Sequence, residues 1–284
     1  MSGKLAFVLS MVIFGAVGVF ARYIPLASSE IAFWMSGIGA CFLLVIFIYK
    51  KESFARSAIV LNKWPLLISS VALCGNWIFL FQAYKETTIA NAALSYYFAP
   101  VLVICLSPII LKEKLVARKI VYVGVALIGL FLIMQSQNAE NSGHLIGIVY
   151  GLIAACFYTL LTFTNKNIRG LKEPHNTIIQ LCLAAFFLSL YIVGTTGFQV
   201  MQINFASILL LIVLGIVHAG IGFYLFFLGM SQLKGQSIAI LSYIDPLTSL
   251  VISTMIIGEK MTLLQLIGAI LLLGSTLQSE IEKV

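Results

Sequence analysis

Apolar runs of about 20 residues recur ten times along this chain, at about 5–23, 30–49, 65–84, 90–111, 118–134, 145–164, 177–195, 208–228, 236–257 and 262–279. That is the length a helix needs to cross a hydrocarbon core of about 30 Å. Inside a bilayer every backbone amide must be satisfied within its own segment or in a closed barrel. Barrel strands alternate in polarity, and these runs do not, so the spans are expected to be helices. Composition agrees. Of the 284 residues, 61% are hydrophobic and 10% charged, where a soluble domain carries about 25% charged residues. The expected fold is an all-α polytopic membrane protein of ten transmembrane helices. The connections are too short to hold a soluble catalytic domain.

The formal net charge of +7 comes from Lys and Arg placed in short loops. With the N-terminus inside, fourteen of the seventeen basic residues fall on the cytoplasmic side and three (Arg22, Lys85, Lys260) on the other. The positive-inside bias therefore places both termini in the cytoplasm. The pattern orients a protein in the cell membrane and is not a footprint for nucleic acid. The five cysteines, Cys41, Cys74, Cys105, Cys156 and Cys182, all lie inside apolar runs. Their spacing fits neither a disulfide framework nor a metal site, and they read as small packing residues. The first run lacks a small-residue cleavage site and is expected to remain as a span.

Residues 239–260 read AILSYIDPLTSLVISTMIIGEK, and residues 92–114 read AALSYYFAPVLVICLSPIILKEK. Tyr97, Pro100, Ser107, Ile110, Glu113 and Lys114 recur 146 positions later as Tyr243, Pro246, Ser253, Ile256, Glu259 and Lys260. An offset of five spans, an odd number, turns the second copy upside down in the membrane. Two inverted five-helix repeats follow, residues 1–137 and 138–284, joined through the polar stretch QSQNAENSGH. This is a common plan of secondary transporters. The repeated Glu-Lys pairs sit at membrane surfaces and read as scaffold.

The arrangement resembles the drug/metabolite transporter superfamily, and within it the EamA-type ten-helix transporters. The residues that carry the resemblance are Phe14-Gly15 in the first span, FQAYKETTIANAALSYYFAPV followed by LKEK, FFLGMSQLKGQSIAILSYIDP followed by IGEK, and LIGAILLLG in the tenth. Many relatives carry an Arg shortly after an aromatic in the second span; here Met35 follows Phe33-Trp34. The resemblance implies two five-helix repeats around a central cavity. It also implies movement of small metabolites, often amino acids or drug-like compounds, by alternating access, with no cofactor.

Asp245 breaks the repeat, because its counterpart is Ala99. An ionisable group near the middle of a span costs about 2.5–3.5 kcal/mol or more and therefore faces a cavity or a partner. Pro246 removes a backbone donor and disfavours helix just before it, which should free carbonyls near Leu241 and Ser242. A carboxylate beside a broken helix suits a cation or a proton; the competing reading is a packing bond to a nearby Ser, Thr or Tyr. His218 is the one histidine inside an apolar run. An imidazole titrates near neutrality, so His218 could pair with Asp245 as a proton carrier, or simply pack. Asn76 needs a partner at depth, either a helix or a ligand, and Trp77 offers a face to a cation. Tyr96, Tyr97 and Tyr243 flank the two prolines, and Tyr224, Tyr158 and Gln180 are further wall candidates. Lys166 reads as a snorkelling, orienting residue.

The substrate-binding set expected from sequence is thus Asn76, Trp77, Tyr96, Tyr97, His218, Tyr224, Ser242, Tyr243 and Asp245, with Asp245 and His218 as proton-coupling groups and no metal. The expected activity is secondary transport, as an exporter of amino acids or similar small metabolites. Import or facilitated movement of small organic cations is the second reading. A polytopic membrane enzyme is the rival from another class, and it lacks the paired acids, Ser-His arrangement or metal set such chemistry needs. The expected partners are a small-molecule substrate and membrane lipids, with the protein a monomer or homodimer.

Overall fold

A computed structural model describes residues 2–54, 56–86, 92, 95–112, 117–135, 145–195, 197–199, 203–257 and 263–281. Among these, all regular structure is helical: α1 Gly3–Gly15, α2 Val17–Arg22, α3 Ser28–Tyr49, α4 Arg56–Leu61, α5 Lys63–Glu86, α6 Ala99–Ile110, α7 Ala117–Gln135, α8 Leu145–Lys166, α9 Glu173–Gly194, α10 Phe205–Val213, a π-helical stretch Leu214–Gly222, α11 Phe223–Gln232, α12 Gly235–Leu241, α13 Ile244–Ile257 and α14 Leu263–Ile281. Helices α3, α5, α8 and α9, and the continuous run Phe205–Gln232, are long and apolar enough to cross a membrane. Helices α1 and α6 are apolar but shorter. The repeated Glu113-Lys114 and Glu259-Lys260 pairs, and most of the polar join at 135–144, lie outside the described residues.

Local chemistry sets the helix ends. The Ser2 hydroxyl accepts from Leu5 N–H at 3.4 Å to start α1, and the Asn204 carboxamide accepts from Ser207 N–H at 2.8 Å to start α10. Each satisfies one of the donors that a helix N-terminus leaves open. Lys172 precedes α9, which carries Pro174 in its first turn, where no amide donor is needed. The first expected span is divided at Ala16 into α1 and α2.

The packing has a reciprocal pattern. Under the 146-residue offset α8 corresponds to α1, α9 to α3, Phe205–Gln232 to α5, α13 to α6 and α14 to α7. In the structure α5 packs on α8, and α11 with the π stretch packs on α1. Likewise α3 packs on the π stretch and α9 on α5, while α6 packs on α8 and α13 on α1. Two further large contacts join equivalents to each other: α3 with α9, and α7 with α14. Every one of these contacts joins the first half to the second, so the halves are interlocked rather than set side by side. Lipid tails supply little hydrophobic drive between helices, so close approach through small residues carries the packing. A Cβ added at Gly39 would lie 2.8 Å from the Ala219 Cβ and 2.8 Å from the Gly215 carbonyl oxygen, so α3 and the π stretch meet backbone to backbone there.

The larger apolar core runs from Phe7 and Met35 through Trp77 to Phe223, Phe226 and Phe227. A smaller one gathers Tyr97, Val103, Ile104, Ile240 and Tyr243. The second lies where the two helix breaks meet.

Candidate functional site

Two interrupted helices build the site. Helix α12 stops at Leu241, Ser242 and Tyr243 form a turn, and α13 restarts at Ile244. Pro246 cannot supply the amide that would normally reach the Ser242 carbonyl four residues back. That carbonyl instead accepts from Asp245 N–H at 3.2 Å. The break expected from Pro246 is therefore present, but the Ser242 carbonyl expected to be freed is satisfied by this tighter turn. In the first half, Tyr97 and Phe98 form a turn just before α6, which holds Pro100 in its first turn.

Asp245 sits in the first turn of α13, deep among the helices, yet it is half-buried rather than sealed. Tyr97, in the break of the first half, lies within electrostatic reach of its carboxyl group. Tyr84, Tyr96 and Tyr158 are also within electrostatic reach of its carboxyl group. Tyr96 lies 5.6 Å from Tyr97 and 6.0 Å from Tyr158, ring centre to ring centre. The Tyr158 hydroxyl bonds Ser242 Oγ at 2.9 Å. Ser242 Oγ in turn donates to the Ile238 carbonyl at 2.8 Å, so Tyr158 is the donor in that pair. Asn76 donates from Nδ2 to the Ala154 carbonyl at 3.0 Å, tying α5 to α8, and its side chain lies near Tyr96. The result is one carboxyl group among tyrosines, where both halves contribute.

Of the residues expected from sequence, Asp245, Tyr96, Tyr97, Ser242 and Asn76 converge here. Tyr243 is wholly buried beside Tyr97 in the smaller core, and its hydroxyl has no hydrogen-bond partner. Trp77 is buried edge-on against Phe223 at 5.2 Å, its own repeat equivalent. Tyr224 is half-buried on α11 and is not among the groups around Asp245.

His218 is also placed apart from Asp245. It lies in the π-helical stretch, 2% exposed, with the Phe20 ring edge-on at 5.3 Å. Neither ring nitrogen has a well-formed hydrogen bond. Its pairing with Asp245 is not formed in this structure.

Three further groups carry chemistry. Tyr84 closes one side of the carboxyl environment; its signal was its place in the FQAY run, which the repeat does not flag because Met230 is its counterpart. Glu30, wholly buried, accepts from Gln199 N–H through both carboxylate oxygens, at 2.9 and 3.0 Å, and from Trp34 Nε1 at 3.5 Å. It ties the 197–199 segment to α3, a role that nothing in its place in the sequence signals. Lys166 donates to the Leu233 and Met230 carbonyls beyond and at the end of α11. It caps a neighbouring helix end rather than reaching for the membrane surface. Beside it Gln180 Nε2 donates to Asn165 Oδ1 at 2.6 Å and to Asn176 Oδ1 at 2.7 Å, so Gln180 belongs to this buried amide cluster and not to the site wall. Among the described residues no group of three or more His, Cys, Asp or Glu side chains could hold a metal ion.

Comparison with known proteins adds the following. The model of the EamA-like transporter family matches residues 1–135 and again 145–279. An "Uncharacterized transporter YxxF" of Bacillus subtilis (strain 168) is 29% identical over 271 residues, 93% of this chain and 85% of that protein. An uncharacterized transporter of Archaeoglobus fulgidus is 30% identical over 278 residues, 97% of this chain and 95% of the relative. An aromatic amino acid exporter, YddG, of Ancylobacter novellus is 26% identical over 197 residues, 68% of this chain and 67% of its own. One crystal structure superposes with a TM-score of 0.84 at 17% identity, covering 99% of both chains, which is a likeness of fold.

Proposed function

The chain belongs to the EamA-like transporter family, and from that premise we propose that it is a secondary transporter of the cell membrane, exporting amino acids or related small metabolites by alternating access. In this reading ten helices form two inverted five-helix repeats with both termini cytoplasmic. The reciprocal packing of the halves supports it, as does the excess of Lys and Arg in alternate loops. Helices that break at depth, near a charged group, are a recurring way to build a substrate site between repeats.

One observation carries the reading. Asp245, half-buried at the break between α12 and α13, is reached by side chains of the first half, Tyr97 above all. Rocking of one half against the other changes access to such a group. Asp245 then serves as the coupling group, alternately binding a proton and the substrate, within a shell of Tyr84, Tyr96, Tyr97 and Tyr158. His218 takes no part in this coupling step, because it packs against Phe20. The amino acid class rests on the similarity to a protein named as an aromatic amino acid exporter. Proteoliposomes loaded with labelled phenylalanine test the reading under an imposed pH gradient. Efflux should follow the gradient in the wild type and lose that dependence in Asp245→Asn. An unchanged pH dependence and accumulation ratio in Asp245→Asn sinks the coupling.

The second reading is movement of small organic cations. The tyrosine rings around a single carboxyl group favour it, since aromatic faces attract cations. Competition separates the two: amines, and not zwitterionic amino acids, should then displace the bound ligand.

A further inference from the structure

Far from the helix breaks, the two halves are pinned together at one corner. Asn62, buried at the turn between α4 and α5, donates from Nδ2 to the Arg169 carbonyl at 2.7 Å and accepts from Arg169 N–H at 3.0 Å through Oδ1. A side-chain amide thus pairs with a backbone residue and joins the segment before α5 to the loop after α8. The equivalent of Asn62 under the 146-residue offset is Ile208, so the clamp has no copy in the other repeat.

The corner is basic and apolar at once. Lys63 follows the clamp residue, Arg169 is its partner, and Arg56 opens α4; all three are exposed. The acids of these two segments, Glu52 and Glu173, are engaged elsewhere: Glu52 pairs with His175 at 3.2 Å, and Glu173 accepts from Asn176 Nδ2 at 3.2 Å. Beside the cations Val60, Leu61 and Trp64 are exposed. Trp64, Ile68 and Val71 are exposed too, at spacings of four and three residues that place them on one face of α5. In a membrane that face meets lipid, and Trp64 stands at its end, where the tails give way to headgroups. Lys63 Nζ lies 5.8 Å from the centre of the Trp64 ring, a cation folded over the aromatic.

We propose that this corner is a binding surface for the anionic headgroup of a phospholipid of the cytoplasmic leaflet, its phosphate held by Arg56, Lys63 and Arg169 and its tails lying along Trp64 and Ile68. The proposal uses the membrane placement and orientation given above and is independent of the transported substrate. Two demands select the class. The cations need an anion that their own segments do not supply, and the exposed apolar side chains need cover. A free phosphate meets the first demand and leaves Val60, Leu61 and Trp64 in water. A zwitterionic lipid covers the apolar side chains and brings its own cation up to Arg56 and Lys63. An anionic lipid meets both. Because Lys63 belongs to the first half and Arg169 to the second, such a headgroup bridges the same two segments that Asn62 clamps.

Fluorescence quenching in proteoliposomes tests this, using brominated phosphatidylglycerol or brominated phosphatidylcholine. The Trp64 signal is the difference between each protein and the same protein carrying Trp64→Phe. In the wild type, brominated phosphatidylglycerol should occupy the corner about fivefold or more in preference to brominated phosphatidylcholine, since one cation near an anionic surface is worth about that factor. The preference should fall to about twofold or less in Arg56→Gln/Lys63→Gln, and by at least about half in Arg169→Gln. Lys112→Gln/Lys234→Gln removes the same charge from other segments and should keep the wild-type preference. Equal quenching by the two lipids in the wild type overturns the proposal. So does a preference that Arg169→Gln leaves whole, or one that the Lys112 and Lys234 changes lower as far as the Arg56 and Lys63 changes do. Displacement of the brominated lipid by inorganic phosphate, against chloride at matched ionic strength, assigns the cations to a soluble anion and overturns the lipid. If a variant does not fold, the wild-type comparison of the two lipids still decides. No transported substrate enters the measurement, so failure here leaves the export reading standing, and failure of export leaves this surface standing.

Discussion

Asn76 shows how a single polar side chain can belong to the scaffold and the site together. Its Nδ2 reaches the Ala154 carbonyl across the α5–α8 contact, and the same side chain lies near Tyr96, in the shell of Asp245. The Ala154 carbonyl lies inside a helix, where it also accepts from its own backbone. Interhelical hydrogen bonds in membranes average about 0.6 kcal/mol. Asn76→Ala should therefore lower stability by only about 0.5–1.5 kcal/mol, read as a small drop in the thermal midpoint of the purified protein. A loss beyond about 3 kcal/mol would show that Asn76 holds more than this pair. Asp245 was legible from the sequence by a physical argument: it is a charge in an apolar run that the repeat leaves unpaired. Tyr158, weighed only as a wall candidate, gained its place from the turn at Ser242, which no local pattern reveals. The His218–Asp245 pairing rested on similar depth alone, and depth fixes neither rotation about a helix nor the neighbour it faces.

At the scale of elements, the helix break at Ser242–Tyr243 followed from Pro246, while the π-helical stretch Leu214–Gly222 did not follow from anything in the run. Gly215 and Gly220 let α3 come close, while Gly222 faces Ile13 and Phe14 of α1, and π turns recur at functional positions. Gly39 is the point of that contact where an added Cβ would meet backbone, the Gly215 carbonyl oxygen at 2.8 Å and the Gly220 nitrogen at 2.9 Å. Backbone atoms cannot step aside as a flexible side chain can, so α3 would have to move off the π stretch. Gly39→Leu should abolish recovery of folded protein from the membrane. Gly37→Ala, two residues away with nothing within 4 Å of its added Cβ, should leave yield and elution profile unchanged. Equal tolerance at both positions would mean that the α3 contact is looser than its geometry indicates.

For the whole molecule, the 146-residue offset proved the most informative reading of the sequence, because it maps one set of contacts onto the other. What it could not supply is the place where the symmetry is broken for use. Glu30 and Asn176 are equivalents under the offset. Asn176 joins the amide cluster with Asn165 and Gln180, at the end where Lys166 caps α11. Glu30 instead holds the Gln199 amide with both oxygens at the start of α3. On the proposed inverted arrangement these two ties lie on opposite faces, and each is expected to be intact while its own face is closed. A carboxylate accepting from an amide is worth about 1.5–3 kcal/mol, enough to shift an opening equilibrium by tenfold or more. Glu30→Gln keeps the shape and removes the charge, so the outer face should open more often. The readout is the labelling rate of Tyr96→Cys, with the five native cysteines replaced by Ser, by a membrane-impermeant thiol reagent added outside. Glu30→Gln should raise that rate at least about threefold, while labelling from the cytoplasmic side of inverted vesicles falls. A rate unchanged from either side would mean that the Glu30 tie only anchors the 197–199 segment, and that closure of the outer face is held by other contacts.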